Sequence, residues 1–523
     1  MMSSGTEAEA DPLRAEPGAQ RGNTTEVRAG GKSYGQILKS STIIGGSSLV
    51  NVLVAIVRVK VNAVLLGPGG VGLFGLYNSI TEISASLADL GIRSSGVRQI
   101  AAAASTNDQV QITRTVLTLR RVALILGCLG AVALFLLRKP VCALTFGSLV
   151  HANEVAVLPL VVFCGAVSGG QAALVQGMRR IGDLARMSII GAVLGTALSV
   201  SIIFAFREHG IVWSLAAVSA MGILTSWWYA RKIRVRRVHI GWNESREETQ
   251  RLLSLGLVVT ANGLMTAGVT YITRLLIIGR FGLDAVGLYQ SASALSIMYA
   301  GFILDAMGTD FYPRLTAAAK DDATCNRLVN EQAEIGLLLA VPGVLATLTF
   351  APLVIQVFYS ARFGPAADIL RWQILGMLLR VAAWPMAFIL PAKELKRAYF
   401  WTELIFNVAN LGLVWVCLRV WGLTGVGIAF FALFLFFWCL MFFLVRRITG
   451  FSWSAANARL GLLLFPAVAV VFLSSCFVPP MAAMVVGTVV TLLVGFHNLV
   501  MLRRAVGADG VDFIARKLGR LRR

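Results

Sequence analysis

From residue 36 to residue 502 the sequence is a succession of apolar stretches, most of them about 20 residues long, divided by short polar or glycine- and proline-rich turns. A helix needs about 20 apolar residues to cross a hydrocarbon core about 30 Å thick. Inside lipid, the backbone satisfies its own polar groups only as helix or closed barrel. The hydropathy therefore predicts an all-α polytopic membrane protein. Its spans fall at 36–66, 72–100, 115–137, 153–177, 185–206, 210–230, 252–279, 285–312, 332–358, 367–391, 398–419, 422–445, 459–478 and 481–502. That makes fourteen, with Gly67-Pro68-Gly69-Gly70, Gly364-Pro365 and Pro479-Pro480 marking turns.

The net charge of +21 would suggest a nucleic-acid partner in a soluble chain, but its distribution says otherwise. Of 47 Lys and Arg residues, 35 fall in the tails and loops on the side of the N-terminus and 7 in loops on the other side. This asymmetry places both termini in the cytoplasm and accounts for the basic balance without nucleic acid. Residues 1–33 read as a disordered cytoplasmic tail, on which the sequon Asn23-Thr24-Thr25 is a chance match, and 503–523 as a basic cytoplasmic tail. Seven cysteines and four histidines are dispersed, with no CxxC pair and no metal-ligand spacing, so no metal and no cofactor is expected.

The chain repeats itself. Gly67–Phe74 (GPGGVGLF) is echoed about 212 residues later by Gly279–Tyr289 (GRFGLDAVGLY), after a three-residue insertion. Asn51 finds Asn262, and Gly210-Ile211 finds Gly422-Leu423. Two six-span bundles follow, 34–230 and 252–446, joined by a basic linker 231–251 (containing RKIRVRRVH) suited to anionic headgroups, with an additional hairpin at 459–502. Six is even, so both halves enter from the same side, related by an axis along the membrane normal, with the transport path between them.

Intramembrane charges are costly, about 2.5–3.5 kcal/mol each at the bilayer centre, and mark functional positions by default. Asn78, Glu82, Ser86, Asp89 and Arg93 recur at steps of three and four, one stripe on a helix that must line a wet interior. Arg58 and Asn62 share a face with Asn51 on the first span, whereas Lys60 points elsewhere and snorkels. In the second half, Arg274 ends a row of Asn262, Thr266 and Thr270, Arg380 lies within a span, and Asp305, Asp310 and Glu403 supply acids. The competing reading is an ion pair that ties helices together, such as Asp89 with Arg93. Unpaired guanidinium groups suit phosphate or carboxylate. Arg58, Asn62, Asn78, Glu82, Asp89, Arg93, Arg274 and Arg380 are thus candidate substrate contacts, and Glu82, Asp89, Asp305 and Glu403 candidate ion-coupling sites. No Walker A, G-x-S-x-G or H-E-x-x-H motif is present, and the longest outer segment, Arg138 to Ala152, is too short for polymerase or ligase chemistry, so the chain reads as a non-enzyme.

The run LLGPGGVGLFGLYNSITEISASLADLGIRSSGVRQIAA resembles the start of Wzx-type O-antigen and lipopolysaccharide flippases of the MOP (multidrug/oligosaccharidyl-lipid/polysaccharide) superfamily. Gly67-Pro68, Gly72-Leu73-Phe74 and Leu90-Gly91-Ile92 carry the likeness, with a second piece at Gly422 to Gly427. The resemblance implies two six-helix bundles in a V that alternate access. The implied substrate is an undecaprenyl-pyrophosphate-linked oligosaccharide, whose headgroup crosses a basic cavity while its tail stays in lipid. It further implies a bacterial inner-membrane location and, as protein partners, a polysaccharide polymerase and a chain-length regulator. Such flippases commonly have twelve spans; fourteen is similar to the lipid II flippases, whose additional pair forms a groove for the lipid tail. The rival readings are a MATE-like exporter of cationic compounds, which would call for an acid-dominated cavity, and a non-transporting scaffold of polysaccharide assembly.

Overall fold

The computed structural model describes residues 23–105, 109–233 and 242–520, and within the helices it leaves undescribed the side chains of residues 23–45, 242–247, 251–259, 504–520 and several between 300 and 310. Sixteen α-helices and no strand occur among the described residues. They are α1 Asn23–Asp89, α2 Ile92–Ser105, α3 Gln109–Leu136, α4 Arg138–Phe146, α5 Ala152–Val155, α6 Leu158–Gly177, α7 Ile181–Phe206, α8 Gly210–Ala230, α9 Trp242–Ala317, α10 Asp322–Phe358, α11 Ala366–Ala387, α12 Ile389–Ala392, α13 Lys396–Trp421, α14 Gly425–Thr449, α15 Ala455–Phe477 and α16 Pro480–Arg520.

Among the described residues, ten apolar helical segments are long enough to cross a membrane, and four of them, of 44, 50, 40 and 54 residues, are far longer than one crossing needs. Each of the four contains one break with left-handed backbone, at Gly67, Arg207, Gly282 and Gly422, so the ten segments supply fourteen crossings. At Gly67 the chain doubles back. Ser47 and Arg93 lie 20 and 26 residues on either side of it yet line one cavity, whereas a straight helix would hold them about 70 Å apart. Gly67 (φ 70°, ψ −171°) precedes Pro68, whose missing N–H costs nothing at a helix start; Gly282 (φ 77°, ψ −174°) repeats the conformation.

The repeat is sharper in the backbone than in the residues. Left-handed positions 67, 179 and 207 recur at 282, 394 and 422, each pair 215 residues apart. Arg180 N donates to Val175 O at 3.1 Å, and Leu395 N to Leu390 O at 2.9 Å, closing the same turn in each half. This corrects the sequence alignment of Gly210 with Gly422. The structural twin of Gly210 is Gly425, because both start a returning helix and both lie so close to a carbonyl one hairpin earlier, Ile202 O and Cys417 O, that a side chain has no room. The Asn51–Asn262 match falls outside this register, in which Asn51 corresponds to Thr266, although each Asn donates its Nδ2 to a neighbouring helix, to Ser188 Oγ at 2.7 Å and Tyr399 Oη at 3.4 Å.

Three boundaries differ from expectation. Helix α1 begins at Asn23, so residues 23–33 are helical, and 1–22 lie outside the described residues. Helix α9 takes up the linker from Trp242, and α16 carries the expected tail on to Arg520. The hairpin α15–α16 packs on α10 in the core of the second lobe, through Leu460, Leu464, Val468, Val471 and Val494, and is held by Asn498 Nδ2 on Leu338 O at 3.0 Å.

Candidate functional site: a basic cavity between and within the lobes

The two lobes meet at the end that carries Gly67 and Gly282. There the first helices cross at backbone contact: Gly72 faces Leu283 O while Gly287 faces Pro68 O, so the pseudo-twofold axis runs between two glycines for which no side chain could substitute. Ala63, Val71 and Leu76 of the first lobe are embedded in the apolar clusters of the second. Lys60 Nζ reaches Gln356 O at 2.8 Å in the last turn of α10, and Thr145 of α4 shares a hydrogen bond with Tyr271 of α9 at 2.6 Å. Lys60 therefore caps a helix C-terminus of the other lobe, where a cation is favoured, instead of snorkelling.

At the opposite end a cavity of about 490 Å³ lies between the lobes, lined by Ser86, Asp89, Gly91, Arg93 and Gln176 on one side and Thr260 and Gly263 on the other. A larger one of about 750 Å³ penetrates the first lobe between α1, α6, α7 and α8. Arg93 and Gln176 line both, so the two spaces adjoin at these residues. The inner cavity holds two guanidinium groups, Arg58 and Arg93, among Ser47, Ser48, Asn51, Ser168, Ser188, Thr225 and Ser226, and among the described residues no acidic one lines it. Arg58 is half-buried and has neither hydrogen bond nor ion pair among the described residues. The Oδ1 of Asn51 is buried without a donor, since its amide is committed to Ser188. Together these groups offer an anion two cations and offer sugar hydroxyls a row of small donors and acceptors.

Of the expected stripe Asn78, Glu82, Ser86, Asp89 and Arg93, the structure brings Ser86, Asp89 and Arg93 to the outer cavity. Gly75, Ser79, Glu82, Ser86 and Asp89 follow at steps of three and four from the lobe junction to the cavity mouth. Asp89 is not simply a partner of Arg93. Its carboxylate accepts the backbone N–H groups of Arg93 and Gly91, bridging the left-handed pair Leu90-Gly91 that separates α1 from α2.

The other predicted residues lie elsewhere. Arg274 is buried at the lobe junction, where Nη1 donates to Gly75 O at 2.9 Å and to Ser79 Oγ, and Nη2 donates to Gln290 Oε1. Asn62 is buried with an unpartnered Oδ1, outside both cavities, and Asn78 is half-buried on the first helix pair. Glu82 is exposed and lies in Coulombic reach of Arg274. Arg380 packs over Phe434, with Nη1 4.0 Å from Met377 Sδ. Glu403 sits one turn beyond Tyr399. The side chains of Asp305 and Asp310 lie outside the described residues.

Residues 61–368, well over half of the chain, match the polysaccharide biosynthesis protein family. The chain belongs to this family. Among relatives, the lipid III flippases of Escherichia coli (strain K12) and Shigella flexneri are each 25% identical to it over 424 residues, covering 79% of this chain and 99% of theirs. Among solved structures, the lipid II flippase MurJ in an inward closed conformation superposes with a TM-score of 0.69 at 11% identity, over 90% of this chain and 99% of that one. An inward-facing multidrug resistance MATE transporter of the MOP superfamily gives 0.61 at 18% identity, over 76% and 94%. These likenesses establish the fold of this family member as MOP-type, as the sequence resemblance implied.

Proposed function

We propose that this family member is a flippase that carries undecaprenyl-pyrophosphate-linked oligosaccharide units from the cytoplasmic to the periplasmic leaflet of the bacterial inner membrane, for O-antigen, exopolysaccharide or another surface polysaccharide. The observation that carries this reading is the inner cavity, where, among the described residues, Arg58 and Arg93 face polar space with no acidic side chain in its lining. A pyrophosphate brings the negative charge that such a space lacks, and the sugars bring the hydroxyls its Ser, Thr and Asn side chains match. A cationic drug would meet like charge there, which disfavours a MATE-like exporter. With both termini cytoplasmic, the orientation that the basic loops favour, the cavity mouth faces the cytoplasm and the Gly72–Gly287 crossing faces the periplasm. In this state the headgroup enters from the cytoplasm, and the lobe junction closes the way out.

A cavity of about 580 Å³ between α11, α14 and α15 is lined only by apolar residues, including Trp372, Phe431, Trp438, Phe465 and Phe472. It suits the isoprenoid tail, which needs apolar contact and no hydrogen bonds. The test is a deletion strain assayed in spheroplasts. Lipid-linked oligosaccharide should accumulate on the cytoplasmic leaflet with loss of the surface polymer, whereas an unchanged lipid-linked pool and intact polymer would overturn the proposal.

A further inference from the structure

At the centre of the periplasmic seal the glycine crossing is reciprocal. Interlobe bonds flank it in both directions, from Lys60 to the end of α10 and between Tyr271 and α4, although Lys60 and Tyr271 are not equivalent positions of the repeat. Arg274 has no equivalent either, since the residue 215 positions earlier is Val59. Arg274 is 7% exposed and belongs to the second lobe, and its guanidinium spends two of its hydrogen bonds on the first, at Gly75 O and Ser79 Oγ. A third, donated by Nη2 to Gln290 Oε1 on the next crossing of its own lobe, fixes its direction. Every acceptor is neutral, and Nε has no partner. A buried cation held by neutral acceptors alone is worth most while all its bonds are made, and it is readily drawn to an anion.

The position of Arg274 gives that property a use. It stands eight residues before Gly282, about 12 Å below the periplasmic turn by helical rise. The helix face it grips continues through Glu82 to Ser86 and Asp89 at the cytoplasmic cavity. The lobes cannot part on the periplasmic side without pulling the guanidinium off Gly75 and Ser79.

We infer that Arg274 is an interlobe latch of the outward-closed state, a positioning residue that sets the balance between closed and open lobes and that a phosphate reaching its guanidinium unlocks. The unlocking step rests on the flippase reading; the latch itself does not. In the outward-closed state Arg274 is thus no headgroup ligand, and its loss shifts a conformational equilibrium even when no substrate is present.

The experiment is a distance measurement between spin labels at Val150→Cys and Ala361→Cys, exposed positions on the periplasmic ends of the two lobes, in nanodiscs without substrate, with exposed Cys128 and Cys476 replaced by Ser. Loss of a charged hydrogen-bond set should raise the open-to-closed ratio by about tenfold to a hundredfold in Arg274→Gln. Ser79→Ala, a far smaller change that keeps the fold, should shift the same distribution in the same direction by a lesser factor. A distribution unaltered in Ser79→Ala and in folded Arg274→Gln overturns the latch, whatever happens to transport. Failure of the flippase reading would instead appear as absent translocation with the distance shift intact.

Discussion

Replacement of Arg58 by Met separates a ligand residue from a packing residue by the sign of two effects. Arg58 lies half-buried in a membrane helix with no partner among the described residues, in a cavity without acids in its lining. An uncompensated Arg at the centre of a membrane helix costs about 2.5–3.5 kcal/mol on the insertion scale, part of which cavity water offsets. Arg58→Met keeps the length and the packing of the stem while removing the charge, so the ligand-free protein should melt at the same temperature or higher. A charged hydrogen bond to phosphate contributes about 1.5–3 kcal/mol, so the dissociation constant for undecaprenyl pyrophosphate should rise roughly 10- to 150-fold. Thermal-shift titrations of the purified protein in detergent, with undecaprenyl pyrophosphate and with inorganic pyrophosphate, read both quantities, because a ligand that binds only the folded state raises its melting point. A variant that melts several degrees lower without ligand and binds pyrophosphate as wild type does would refute the argument and make Arg58 a structural residue.

Three further outcomes are expected. Gly287→Ala pushes a methyl group into Pro68 O, so it should part the lobes on the periplasmic side, seen as labelling by an impermeant thiol reagent of a cysteine placed at buried Leu76; a reactivity equal to wild type would show that the crossing is not the seal. Arg207→Gly relieves a left-handed residue (φ 52°, ψ −129°) whose twin is already Gly422, at the loss of a long 3.5 Å bond to Leu65 O, and should raise thermal stability by up to about 1 kcal/mol; a lower melting point would assign that bond more weight than its length suggests. Ala469→Trp fills the apolar cavity and should lower transport of long-chain substrates while pyrophosphate affinity stays at its wild-type value; equal transport would remove that cavity from the path.

Composition and hydropathy carried the architecture because lipid leaves a chain few options: apolar length gives the crossings, and loop charge gives the orientation we propose. The repeat was legible at Gly67–Phe74, where glycine is needed in both lobes, and misaligned by four residues at Asn51, whose place in the second lobe is Thr266. Its register slipped at Gly210, because Arg207 occupies a left-handed position that its twin fills with glycine, and only the backbone shows that the two are equivalent. Arg58 and Arg93 were visible as charges in apolar surroundings. The serines around them were not, since Ser in a membrane helix bonds its own backbone as readily as a ligand, as Ser168 does with Gly165 O. Arg274 looked like its neighbours in sequence and differs from them through Gly75 and Ser79, about 200 residues away, a contact that no local pattern encodes.

The most direct measurement uses sealed proteoliposomes that contain the purified protein and a lipid-linked oligosaccharide bearing a labelled sugar. An impermeant glycosidase added outside reaches only the outer leaflet, so protein-free vesicles retain a protected fraction. The account predicts that the protein abolishes this protection and that the Arg58→Met, Arg93→Met double variant restores it. Protection that persists with folded wild-type protein, or that the double variant abolishes as fully as wild type, would contradict it.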